Sequence, residues 1–137
     1  MKEGFEKAFT DIQSGIISLC LEYAGEDTDK VFAYIYQTPA SRMFNAFFRK
    51  GDKVLSAGQL GTEERSDEFL ALGRSDIARL LEVCSRYEHP CPNELKMIYD
   101  VRTKHFDAKY DYDDHCAKED RSPFTVFLEW MRKERDN

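Results

Sequence analysis

Apolar residues recur at three- and four-residue spacing near the start of the chain: Phe5, Phe9, Ile12, Ile16, Leu19, Cys20 and Tyr23. That period predicts an amphipathic helix over residues 2–23, ended by Gly25 and the polar run Glu26, Asp27, Thr28 and Asp29. The pattern then becomes strand-like. Residues 31–39, VFAYIYQTP, are rich in β-branched and aromatic side chains and close on a proline. Both alternate faces are apolar, with Val31, Ala33 and Ile35 on one and Phe32, Tyr34 and Tyr36 on the other. Such a strand belongs in the middle of a sheet, with something packed on each side. Residues 41–50 and 53–60 predict two further strands, joined by a turn at Lys50, Gly51 and Asp52. Their short connections make the three an antiparallel meander.

Helical spacing returns over residues 66–87. Ser66 is placed to cap this region, with Asp67 and Glu68 in the favourable first turn. Gly73 predicts a break and Ser75 a restart, and Ile77, Leu80, Leu81, Cys84 and Tyr87 form an apolar stripe. The run His89, Pro90, Cys91, Pro92 ends the helix, because neither proline continues its hydrogen bonding. Two alternating segments follow. In residues 94–102, Leu95, Met97, Tyr99 and Val101 share one face; in residues 105–114, Phe106, Ala108, Tyr110 and Tyr112 share one face and Asp107, Lys109, Asp111 and Asp113 the other. Residues 113–121 read as a charged loop. Ser122 followed by Pro123 marks the start of a last helix, with Phe124, Phe127, Leu128 and Met131 as its buried stripe and Trp130 at the edge.

The order α-β-β-β-α-β-β-α defines an α+β fold. It is a mainly antiparallel five-stranded sheet with N-terminal, middle and C-terminal helices packed on it. With no linker and no repeat, residues 1–137 form a single domain.

Charge narrows the function. The chain has 26 Asp and Glu against 20 Lys and Arg, a net charge of −6. That excess argues against direct nucleic-acid binding, which needs a basic footprint. No run is long and apolar enough to cross a membrane. Glu3, Glu6 and Asp11 interrupt what an export leader would keep apolar, so the expected compartment is the cytoplasm. The four cysteines are then expected as free thiols, with Cys20 and Cys84 in the core and His115 and Cys116 on the surface. Cys84, His89 and Cys91 carry zinc-ligand chemistry but lack the paired C-x2-C knuckles of structural zinc sites, so no metal is expected there. Gly58, Gln59, Leu60 and Gly61 lack the spacing of a phosphate-binding loop, and neither a nucleophile elbow nor an H-E-x-x-H motif is present. No cofactor and no enzymatic activity are expected.

The densest charge lies in residues 105–120, where six carboxylates face two lysines, a net of −4. Three readings apply. The strand face is simply solvated; or it is an acidic docking surface; or Asp107, Asp111, Asp113 and His115 form a metal or hydrolytic site. Lys109 among them, and the lack of a glycine or asparagine to shape a tight loop, speak against the third. Tyr110 and Tyr112 suit an interface, but their shared face with Phe106 and Ala108 predicts core packing.

Residues 31–114 also carry a recognisable combination. A strand ending in IYQTP, an aromatic strand and an acidic helical middle precede the pair MIYDVRTKHFDAKYDYDD, in which Tyr99-Asp100 is followed by Phe106-Asp107 and Tyr110-Asp111-Tyr112. This combination resembles the YezG-like immunity protein family. The resemblance implies a small bacterial cytoplasmic protein that neutralises a cognate toxin by binding it, with no catalytic residues. An acidic surface suits the basic cleft of a nuclease-type toxin, and complementary charge speeds capture. The residues expected to bind the toxin are Asp107, Asp111, Asp113, Asp114, Tyr112, Glu119 and Asp120. The alternative is a small adaptor or regulatory domain that binds through the aromatic sheet face of Tyr34, Tyr36, Phe44 and Phe48. Exposed strand edges leave room for a homodimer, but the sequence alone does not identify the edge strands or decide the oligomeric state.

Overall fold

The structure, a computed structural model, describes residues 4–137, so the predicted helix start at Lys2 lies outside the described residues. Helix α1 spans Phe5–Ala24 and ends at Gly25, whose φ of 97° few residues other than glycine adopt. Strands β1 (Lys30–Thr38), β2 (Ser41–Lys50) and β3 (Lys53–Ser56) follow as the predicted meander. Next come helices α2 (Ala57–Leu60) and α3 (Glu63–Arg86), the hairpin β4 (Glu94–Asp100) and β5 (His105–Asp111), and helices α4 (His115–Lys118) and α5 (Pro123–Asp136). The sheet is antiparallel throughout, in the order β3-β2-β1-β4-β5, with the doubly apolar strand at its centre.

The α+β architecture matches the sequence pattern, and four local details differ from it. The third strand stops at Ser56, where Ser56 and Gln59 form a capping box that starts α2; the Ser56 N–H donates to Gln59 Oε1 at 2.8 Å. Helix α3 starts at Thr62, whose hydroxyl accepts from the Arg65 N–H, and not at Ser66. It also runs unbroken through Gly73. That glycine is buried in mid-helix because the Phe44 ring presses against it: a β-carbon there would lie 2.0 Å from Phe44 Cδ2. Finally, residues 113–121 are not all loop, since they contain α4.

Alternation along the strands divides the core into two layers. On one face, Val31, Ala33, Ile35, Phe44, Phe48, Leu95 and Met97 pack against α1 and α3 through Ile16, Cys20, Phe69, Ile77 and Leu80. On the other, Phe32, Tyr34, Tyr36 and Phe47 pack against Phe127 and Met131 of α5 and Cys116 of α4. Trp130 completes that layer edge-on to Phe32 and Phe47 at 5.8 and 5.0 Å. Phe124, predicted in the buried stripe of α5, is 52% exposed, one turn too early to reach the sheet.

Candidate functional site

The acidic segment begins on a hairpin set by its turn. The Asp100 carboxylate accepts from the N–H groups of Arg102 and Thr103 at 3.0 and 3.2 Å, and Lys104 takes a positive φ of 59°. This returns β5 along β4 with Tyr99 opposite Phe106 and Met97 opposite Ala108. Even-numbered β5 residues therefore lie on the α1 side of the sheet and odd-numbered ones on the α5 side.

Neither side is fully covered. Helix α1 holds Tyr110: Gln13 Nε2 donates to its hydroxyl at 2.7 Å, and the Phe9 ring meets it edge-on at 5.8 Å. Phe106, Tyr110 and Tyr112 remain 38%, 44% and 54% exposed, so the predicted core packing of these tyrosines is corrected. They line two adjoining grooves of about 340 and 330 Å³ between α1 and β5, which share Thr10 and Gln13. The missed signal is Gln13, a polar residue set in the apolar stripe of the first helix and 4% exposed.

The carboxylates separate by role. Asp114 caps α4 by accepting from the Ala117 N–H at 3.0 Å, and it also accepts from the Tyr36 hydroxyl at 2.7 Å. These two donors, the amide first, hold its carboxyl below the usual carboxylate range. Burial, together with that acidic partner, pushes Tyr36 up to about 12. Helix α4 also turns Cys116 inward, to 3% exposure, which corrects its expected place on the surface. Around the helix, Asp111 pairs with His115 at 2.7 Å and accepts from the Asp113 N–H at 2.9 Å. Asp113 faces Lys118 at 3.8 Å, and Glu119 lies between His115 and Arg121. Arg121 reaches on to Glu129 of α5. Asp120 sits at the helix exit with a φ of 51°.

The seven residues singled out from sequence thus occupy three places. Asp111, Asp113, Asp114, Glu119 and Asp120 form a rim around α4, with Asp111 and Asp114 half-buried and the other three exposed, partly neutralised by His115, Lys118 and Arg121. Asp107 stands apart in a mixed-charge groove of about 460 Å³ against α5, with Lys96, Lys109, Arg121 and Lys133. Tyr112 lies in the groove on the opposite sheet face.

Among the described residues, Asp111, Asp113 and His115 are the one group whose ligand atoms lie within 4.8 Å of one another. Cys84, His89 and Cys91 do not converge in that way. The His89 ring stacks on Phe5 at 4.1 Å with Nδ1 against the Pro90 carbonyl. The Cys84 and Cys91 thiols act on each other, which lowers Cys84 and holds Cys91 up. The aromatic surface named for an adaptor is absent: Tyr34, Tyr36, Phe44 and Phe48 are 0–6% exposed beneath the helices of the two layers. No helix among the described residues is long and apolar enough to cross a membrane. No known family model matches this chain, and no curated protein matches its sequence.

Proposed function

We propose that this chain is an immunity-type protein that neutralises a cognate toxin, of the nuclease kind, by occupying it rather than by chemistry. One observation carries the reading: five carboxylates gather around α4, with Asp113, Glu119 and Asp120 exposed and Asp111 and Asp114 half-buried, next to the exposed ring of Tyr112 at the end of β5. A carboxylate rim opposes the basic surface that a nuclease presents to its substrate, and the adjacent Tyr112 supplies an apolar anchor of the kind interfaces favour. The resemblance of the β4–β5 pair to the YezG-like family points the same way. On this reading the protein acts in the cytoplasm, needs no cofactor and touches no nucleic acid itself.

The test is capture of the product of the adjacent gene in a co-purification, with a charge-reversed rim as control. Asp114 must be left intact, because its carboxylate holds α4 in place. Asp113→Lys, Glu119→Lys and Asp120→Lys together leave that cap and the core untouched. Loss of capture and of protection from intoxication, with an unchanged melting temperature, is the expected result. Full protection by the triple variant removes the rim as the binding site.

A further inference from the structure

The two edges of the sheet are unlike. Strand β3 is four residues long and turns at once into α2, a common way of blunting an edge. Strand β5 is seven residues long, and no strand pairs with its outer side among the described residues. Its open backbone groups follow from the pairing of the inner strands. The Gln37 N–H donates to the Asn93 carbonyl and the Val101 N–H to the Asp29 carbonyl, both in the register of β1 with β4. Odd-numbered β4 residues therefore direct their main-chain groups to β1, and even-numbered ones to β5. In β5 the odd-numbered residues answer β4. The N–H and C=O groups of Phe106, Ala108 and Tyr110 face outward.

The side chains on this edge complement one another when the strand is reversed. The sequence reads His105, Phe106, Asp107, Ala108, Lys109, Tyr110, Asp111. Folded about Ala108, it sets Asp107 against Lys109, Phe106 against Tyr110 and His105 against Asp111. Moving the axis to Lys109 would set lysine on lysine and Asp107 on Asp111. Moving it to Asp107 would set aspartate on aspartate. Among the described residues, neither Asp107 nor Lys109 has an ion-pair partner in its own protomer, although both line the same groove. Phe106 and Tyr110 are the half-exposed rings on the opposite face.

From this we infer that β5 is a homodimer interface: two copies join edge to edge, antiparallel, on a two-fold axis through Ala108, making one ten-stranded sheet. Ala108 forms the hydrogen-bonded pair with its own copy, and the smallest side chain of the strand falls where the two copies meet. Phe106 and Tyr110 form the flanking hydrogen-bonded pairs, with the ion pairs of Asp107 and Lys109 between them on the other face. The contact is isologous, and because the β3 edge is blunted it closes at two copies rather than growing into a fibre. The pairing ends at Asp111 and leaves the rim at 113–120 uncovered.

Sedimentation velocity over a concentration series tests this. The wild-type chain is expected to pass from monomer to dimer between roughly micromolar and hundreds of micromolar, the range of a small interface. Asp107→Lys alone and Lys109→Asp alone each set like charges across the axis, and each is expected to weaken the dimer at least tenfold. An equimolar mixture of these two variants restores complementarity and should form a heterodimer. Ala108→Pro should be monomeric with an unchanged circular dichroism spectrum, because the N–H it removes faces the open edge. If that variant unfolds, the charge pair still decides. A wild-type chain that stays monomeric throughout overturns the proposal, and so does a dimer indifferent to both charge changes or a mixture that fails to associate.

Discussion

The two halves of the sheet are written in the same alphabet and end in opposite states. Strands β1 and β2 alternate aromatic and apolar residues, and Phe32, Tyr34, Phe47 and Phe48 are all 0–1% exposed. Strand β5 alternates just as regularly, yet Phe106 and Tyr110 keep about two fifths of their surface in water. The difference is not in the strands but in what lies over them. Helices α1 and α3 cover one face of the central strands, and α4 and α5 cover the other. Over β5 the coverage thins to Gln13 and Phe9 on one side and a charged groove on the other. An aromatic face is a core only when an element is available to close it.

The largest effect should come from opening the closed half. Phe127 seats α5 on the sheet, with its ring 5.7 Å from Phe47 and 6.0 Å from Tyr34. Phe127→Ala should cost about 3–5 kcal/mol, read from a urea unfolding midpoint. Next is Gly73→Ala, where two principles disagree in sign. Helix propensity alone favours alanine by about 1 kcal/mol. The Phe44 ring, 2.0 Å from the new carbon, opposes it, and overpacking typically costs about 1–3 kcal/mol. Because α3 and β2 meet there through rigid groups, net destabilisation is expected; a stabilised variant would mean the helix moves away cheaply.

That glycine also marks a limit of reading the chain. Period and turn chemistry locate all five strands and the three long helices, since those signals are carried by neighbours in sequence. Gly73 reads locally as a helix breaker; its reason lies 29 positions earlier, in the ring of Phe44. The same holds for the site. The alternation of residues 105–112 is plain, but whether its aromatic face is buried depends on where α1 ends up. Asp114 reads as one more negative charge, while its role is fixed by a hydroxyl from β1 and an amide from a four-residue helix. That helix was detectable in principle, because Asp114 stands three residues before Ala117, the usual capping distance.

Between the halves lies the bond from Tyr36 to Asp114, which ties the rim to the closed core. Tyr36→Phe should cost about 1 kcal/mol, the net worth of one hydrogen bond. The pH dependence has a definite sign. Folding holds Asp114 below its ordinary range, so its contribution is complete above the unfolded value, about 3.9, and is lost as pH falls through the folded one. Thermal melts from neutral to acid pH should show the gap between wild type and Tyr36→Phe narrowing below about pH 4. A gap that widens in acid would mean that the phenol does not favour the ionised carboxylate.

The smallest change in stability is expected at Tyr112, and it sharpens the comparison most. Its ring is 54% exposed at the end of the open half, beyond the last paired residue of β5. Removing it opens no cavity in either core layer, so Tyr112→Ala should alter unfolding free energy by no more than about 0.5 kcal/mol. On the proposed function, toxin capture is the second readout of the same variant. An exposed tyrosine beside a charged rim is suited to anchor a partner, and its truncation should weaken capture at least tenfold while the melting temperature holds. Loss of stability on the scale of Phe127→Ala would place Tyr112 in the closed half after all. Unchanged stability with unchanged capture would leave the carboxylates of the rim to hold the partner without it.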